Sequence, residues 1–248
     1  MRDQITLGAA VLGLTLLAWV YLVKTAAAMN GMAMDAAAMP EMQMWSAPDI
    51  WMLFVMWSVM MVGMMLPSAA PVLIAAVGTY RHRSGRSLTP EAAAFLSGYL
   101  IEWIGFSAIA ALAQAGLHRG ALLSPMMATS STLLGGVILI VAGVYQWSPL
   151  KRACLAHCRS PLAFFSAEWR EGVRGALVMG VHHGKYCVGC CWALMAVLFV
   201  AGVMNLLWVA AIALLVLVEK LLPGGPAAGR WSGALLVVWG LVLVVRGV

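Results

Sequence analysis

The 248-residue chain is 63% hydrophobic and only 10% charged, whereas soluble domains carry about 25% charged residues. Long apolar runs with so little charge predict an all-α protein embedded in a lipid bilayer. The formal net charge is +6, but the basic residues lie in short segments between apolar runs. Bacterial inner-membrane proteins record their orientation in this way, so we expect no nucleic acid as a partner.

The apolar runs predict a polytopic membrane helix bundle with about seven transmembrane helices and a cytoplasmic N-terminus. They cover roughly 5–23, 49–77, 91–116, 132–148, 175–200, 203–219 and 231–246. The first run exceeds the apolar core of about 7–15 residues found in signal peptides. We therefore expect a retained helix, although cleavage near "KTAAAM" would leave six. Only Lys24, Arg119 and Arg246 fall in outer segments, in agreement with the positive-inside rule. The predicted organisation is an N-terminal membrane helix (1–28), a periplasmic linker (29–48) and a membrane domain (49–248).

The linker reads "MNGMAMDAAAMPEMQMW" from residue 29 and contains no Lys or Arg. Methionine seldom clusters in a watery linker. The segment is either a plain linker or interfacial helix, or a chain of thioethers that captures Cu(I), since thioethers are soft ligands.

The second run, "DIWMLFVMWSVMMVGMMLPSAAPV", contains paired methionines one turn before Pro67. Methionine is a common gap filler in cores, but this M-M-x-x-M-M pattern is also compatible with a soft-metal path. The candidate residues are Met60, Met61, Met64 and Met65.

Glu102 lies about a dozen residues into the third run, near the predicted middle of the membrane. A carboxylate at this depth is protonated, paired or bound to a cation. Both a neutral hydrogen-bonded Glu102 and a metal-associated Glu102 remain open.

The stretch "MGVHHGKYCVGCCWALM", residues 179–195, concentrates ionisable and thiol side chains in one apolar run. On a regular helix His183, Cys187, Cys190 and Cys191 share a face about 100° wide, and His182 lies off it. Thiolates with an imidazole suit Cu(I) or Zn(II). Ordinary packing of small cysteines and thiol–disulfide chemistry are the alternatives. Because Gly184 and Gly189 could unwind the helix, His182 stays a candidate ligand.

The predicted cytoplasmic loop after the fourth run contains Cys154, His157 and Cys158 as C-x-x-H-C. These groups could accept a soft metal on the cytoplasmic side, or the cysteines could simply pack under a basic loop. Glu219 and Lys220 close the sixth run. A solvated helix end is expected for Lys220, whereas for Glu219 a solvated end and a pairing with Lys220 or a loop arginine both stay open.

The strings "MMVGMMLPSAAPV", "GYLIEW", "AGVYQWSPLKRACLAHCRSP", "GKYCVGCCWALM", "GVMN" and "EKLLPGG" stand between residues 50 and 226. This combination resembles a bacterial family of predicted metal-binding integral membrane proteins, long described as a domain of unknown function. The resemblance implies metal binding, with copper often suggested, but it implies no particular activity.

Three functions follow from these patterns. The first is copper handling: outer methionines collect Cu(I), the second helix and Glu102 lead it inward, the cysteines of residues 187–191 hold it, and Cys154 and Cys158 receive it. A soluble metal-binding or redox protein would then be a partner. The second is a copper or zinc metalloenzyme that acts on a lipophilic substrate. The third is a structural subunit of a membrane complex. Homo- and hetero-oligomers are both compatible with the sequence.

Overall fold

A computed structural model describes residues 2–36, 46–84, 90–123 and 128–247, and this part of the chain is all-α. Within these ranges, an isolated antiparallel β-bridge pairs Leu123 with Thr129. The helices are α1 Arg2–Ala36, α2 Ala47–Ser84, α3 Pro90–Arg119, α4 Thr132–Tyr145, α5 Pro149–Arg159, α6 Pro161–Glu168, α7 Gly172–Ala196, α8 Leu198–Ala201, α9 Leu206–Leu221 and α10 Gly225–Arg246.

Five segments of the described helices are long and apolar enough to cross a membrane. They are Thr6–Ala28, Ala47–Tyr80, Pro90–Arg119, Gly172–Ala201 and Gly225–Arg246. The pair α4 and α5 gives a sixth crossing when it is counted as one span bent by 62°. The helix of the fourth predicted span ends at Tyr145, three residues before the end of that span, and the sixth corresponds to the 16 residues of α9. The all-α prediction is confirmed, with five to six candidate spans where the sequence suggested about seven.

Glycines let α3 and α7 lie with their backbones in contact. A Cβ atom added at Gly180 would overlap the carbonyl oxygen of Phe95, and one at Gly98 would overlap that of Leu177. Further along, Gly184 packs against the side chain of Glu102, so the two helices run in the same direction. Small residues at such crossings allow close van der Waals packing between membrane helices. This contact brings the cysteine-containing half of α7 beside α3.

The segment predicted as a cytoplasmic loop is instead helical and packs against α7. Ser148 caps α5 by accepting a hydrogen bond from the backbone N–H of Lys151 (3.0 Å), and Pro149 occupies the first turn. The helix buries Leu155 and Cys158. The segment is thus a helix rather than an irregular loop, and its basic residues conceal an apolar face that repeats at helical spacing.

The methionine-rich linker lies partly outside the described residues. Residues 29–36 form the last turns of α1, and residues 37–45 are not described. The predicted outer copper-capturing segment therefore stays a prediction.

Candidate metal site

Three thiols of α7 lie on one buried face of the helix. Cys187, Cys190 and Cys191 are at most 1% exposed. The thiols of Cys190 and Cys191 donate to the carbonyl oxygen of Cys187, at 3.1 and 2.9 Å. α7 continues unbroken from Gly172 to Ala196, so Gly184 and Gly189 do not unwind it. The local geometry is that of a regular helix that presents sulfur to its neighbours.

A fourth thiol reaches this face from α5. The Sγ atom of Cys158 lies 4.0 Å from that of Cys190, and the Cys158 thiol also interacts with Cys187. Cys154 packs one turn earlier, over Gly189, where an added Cβ would lie 2.8 Å from the Cys154 sulfur. The missing side chain at Gly189 thus lets α5 approach closely. We call Cys158, Cys187, Cys190 and Cys191 the thiol cluster.

A thioether of α2 also contacts the thiol cluster. The sulfurs of Met65 and Cys191 are 3.9 Å apart. Met60, Met61 and Met64 are buried in the same helix, at no more than 2% exposure, and belong to the apolar core around it. Of the four predicted methionines, Met65 is thus the one for which the structure gives a sulfur–sulfur contact with a cysteine.

Lys220 and Tyr99 contact the thiol cluster, and the sequence indicated neither role. The ammonium group of Lys220 lies 2.9 Å from Cys187 Sγ and donates to the hydroxyl of Ser68 at 3.0 Å. The Tyr99 hydroxyl is 3.2 Å from Cys187 Sγ and donates to the carbonyl oxygen of Met65 at 3.2 Å. Lys220 is only 6% exposed. The expectation of a solvated helix end was therefore wrong for Lys220, since its side chain points into the helix bundle and contacts Ser68 and Cys187.

Glu219 is buried and paired, which is one of its two predicted alternatives, but the partner of its carboxylate is Lys151 rather than Lys220 or an arginine. Lys151 lies 2.8 and 2.7 Å from the two carboxylate oxygens of Glu219 and also donates to the side chain of Gln146. Arg159 donates to the backbone carbonyl of Glu219. A buried carboxylate persists when an opposite charge and hydrogen bonds compensate it, and here α5 supplies both cations.

The two adjacent histidines have different surroundings. The ring of His183 is buried among Phe95, Tyr99 and Phe164, with centroid distances of 5.3–6.1 Å. Its Nδ1 has no hydrogen-bond partner within the described residues. His182 lies on the other side of the helix and pairs with Glu168 at 2.8 Å. His183 thus shares the buried side of α7 with the cysteines, and His182 is engaged elsewhere.

The other predicted ligands lie beside the thiol cluster rather than in it. His157 is exposed, stacks on Tyr186 at 4.2 Å and donates to the carbonyl oxygen of Ala153. Glu102 is partly buried with its stem against Gly184. Across the described residues, no group of three or more His, Cys, Asp or Glu side chains is arranged to hold a metal ion. The sulfur contacts join Cys158 to Cys190 and Cys187, and Cys191 to Met65.

The chain was compared with protein-family models, with curated proteins and with solved structures. A family described as PpoB2, copper chaperone, matches residues 54–243, a range that includes the thiol cluster, Met65 and Lys220. No curated protein and no solved structure matches significantly. Because the match covers most of the chain, the protein belongs to the PpoB2 copper chaperone family.

Proposed function

We propose that this protein is an integral membrane copper chaperone that binds Cu(I) at the thiol cluster and Met65, and passes the ion on by ligand exchange. The observation that carries the proposal is the convergence of sulfur from three helices: Cys158 from α5, Met65 from α2 and three cysteines from α7. Thiolate and thioether ligands favour Cu(I) over harder ions.

The distances between the paired sulfurs suit a soft ion. Zinc–sulfur bonds in proteins are about 2.3 Å long, and copper–thiolate bonds are of comparable length. An ion of this kind fits between the sulfurs of Cys158 and Cys190, which are 4.0 Å apart. The Cys191–Met65 separation of 3.9 Å has the same property. Two adjacent sulfur pairs allow an ion to move from one to the other while it keeps a ligand throughout.

The apolar surroundings of the cluster favour a monovalent cargo. Thiolates in an apolar bundle are costly unless a positive charge accompanies them. Cu(I) bound by one or two thiolates keeps the net charge of the site small, and in the metal-free protein Lys220 supplies the positive charge at Cys187. Zn(II) is the competing metal, and it prefers four tetrahedral ligands, whereas no group of three or more His, Cys, Asp or Glu side chains among the described residues has a metal-binding arrangement.

The predicted route extends from the cluster in both directions. Toward the outer side, Met60, Met61 and Met64 precede Met65 along α2, and the methionines of residues 29–44 precede them in the chain. Toward the basic side, Cys154 follows the cluster on the surface of α5, where it is partly exposed. We expect the protein itself to lie in a bacterial inner membrane. A soluble metal-binding or redox protein is its expected partner on the basic side.

Metal analysis of the purified protein tests the copper site. We expect bound copper after anaerobic loading with Cu(I), and sulfur-only ligation in its X-ray absorption spectrum. Cys187→Ser with Cys190→Ser should reduce the Cu(I) affinity by at least about a hundredfold, since two charge-bearing ligands are lost. Ser97→Ala is the control, because this exposed side chain lies on α3 away from every proposed ligand.

Two results would contradict the proposed copper site. Copper retained in full by the double variant would move the site away from the thiol cluster. A wild-type protein that binds no copper, or that takes zinc in preference, would overturn the proposal. Delivery is tested separately by mixing the loaded protein with an apo thiolate acceptor, to which copper should pass faster than it dissociates into a chelator.

A further inference from the structure

A cavity of about 300 Å³ lies between the bend of α4 and α5 and the start of α10. Its wall includes three cationic side chains, Lys151, Arg152 and Arg230, and one carboxylate, Glu219. It is separate from the thiol cluster, and the copper proposal does not use it.

The charges of the cavity wall leave a positive excess. Glu219 is compensated by Lys151, which contacts both of its oxygens at 2.7 and 2.8 Å. Arg152 and Arg230 have no carboxylate partner within the described part of the chain. Two guanidinium groups therefore face the cavity without an anion, and guanidinium is well suited to binding phosphate oxygens through paired hydrogen bonds.

One further donor and a helix dipole favour an anion in the same place. Pro226 and Gly229 of the first turns of α10 line the cavity. Pro226 has no N–H, and the amides of Ala227 and Ala228 donate to the carbonyl oxygen of Gly224, so α10 contributes the positive end of its dipole rather than free N–H groups. Gln146, which is 4% exposed and also lines the cavity, has a side-chain amide nitrogen without a hydrogen-bond partner among the described residues.

Exposed tryptophans indicate where this cavity lies relative to a bilayer. Trp147, part of the cavity wall, is 41% exposed, and Trp231, next to Arg230, is 74% exposed. Exposed tryptophan beside basic residues is typical of the headgroup level of a membrane. Basic pockets between membrane helices at this level bind anionic lipid headgroups. We propose that the cavity binds the phosphate group of an anionic phospholipid headgroup through Arg152 and Arg230.

Native mass spectrometry of the full-length protein tests this site. The delipidated protein is titrated with phosphatidylglycerol and, separately, with phosphatidylcholine. We expect preferential binding of phosphatidylglycerol, and about thirtyfold weaker binding by the variant with Arg152→Gln and Arg230→Gln, since each basic residue contributes about one kcal/mol of attraction, or about fivefold in affinity. Arg174→Gln, an exposed arginine on α7 outside the cavity, should bind like the wild type.

Two additional experiments identify the ligand and test whether the substitutions disturb the fold. Excess inorganic phosphate should leave the bound lipid in place; displacement by phosphate alone would assign the cavity to a free anion and overturn the lipid assignment. The charge-preserving variant with Arg152→Lys and Arg230→Lys should recover most of the affinity. Equal lipid binding by the wild type and the double glutamine variant would overturn the proposal.

Discussion

Lys220 directs its ammonium group at the thiol of Cys187, with 2.9 Å between Nζ and Sγ. Cys187 is fully buried and Lys220 nearly so. A buried ammonium persists when a partner compensates its charge, and a thiolate is the form of cysteine that does so. Lys220 thus places a positive charge beside Cys187, where, under the copper proposal, Cu(I) adds a second positive charge.

Replacement of Lys220 by methionine should therefore strengthen copper binding. The substitution keeps much of the side-chain volume but removes the charge that repels Cu(I) and stabilises the metal-free site. We expect the melting temperature of the metal-free protein to fall and the Cu(I) affinity to rise about tenfold, which corresponds to about 1.4 kcal/mol. Competition with a Cu(I)-specific chelator measures the affinity.

Lys220→Arg is the control, because it retains the charge and should leave the affinity within about threefold of the wild type. Weaker copper binding by Lys220→Met would show that the lysine assists the metal rather than competes with it. That result would exclude the competition described above.

The contact between Cys158 and Cys190 should be detectable by oxidation. Their sulfurs are 4.0 Å apart, whereas a disulfide bond is about 2.05 Å long, so a small movement of α5 brings them within bonding distance. Treatment of the metal-free protein with diamide should yield a Cys158–Cys190 disulfide as the main product, identified by mass spectrometry of a digest.

Loading with Cu(I) beforehand should protect both thiols if they bind the ion. Cys154→Ser should leave the oxidation unchanged, and Cys158→Ser should abolish this product. A disulfide from Cys154 in place of Cys158 would contradict the packing of α5 on α7.

The close crossing of α3 and α7 should be intolerant of added side-chain volume. Gly180→Ala places a methyl group against the carbonyl oxygen of Phe95, a backbone atom that cannot rotate away. Overpacking of this kind costs about 1–3 kcal/mol or more. We expect a clear drop in the melting temperature in detergent. Gly105→Ala on α3 is the matched control, because nothing lies within 4 Å of its added Cβ; an equal drop there would refute the packing explanation.

Helical periodicity alone predicted which of these side chains share the buried face of α7. An unbroken apolar helix fixes which side chains share a face, so His183 and the three cysteines could be grouped, and His182 separated from them, without a structure. The all-α class and the candidate membrane spans followed from composition in the same way.

Contacts between helices were beyond this kind of reasoning. Cys158 was assigned to a loop because its neighbours are basic, yet Glu219, far away in the chain, neutralises Lys151 and lets α5 pack inside the bundle. Lys220 resembled a solvated helix end for the same reason. The sequence pattern of a single helix does not reveal which of its charged side chains pair with residues of another helix. Two adjacent charged residues at the end of an apolar run are nevertheless a signal of buried charge.

The Lys151–Glu219 pair gives a direct measure of that concealed burial. Both side chains are at most 3% exposed, and loss of one partner from a buried pair costs about 3–5 kcal/mol. Lys151→Met should therefore destabilise the protein by about this amount in denaturant or thermal unfolding. The variant with both Lys151→Met and Glu219→Leu should recover part of the loss, because no unpaired charge remains.

The half-exposed pair of His182 and Glu168 provides the comparison: Glu168→Gln should cost less than about 1 kcal/mol. Similar losses at the two pairs would mean that Glu219 is solvated and that α5 does not pack inside the bundle.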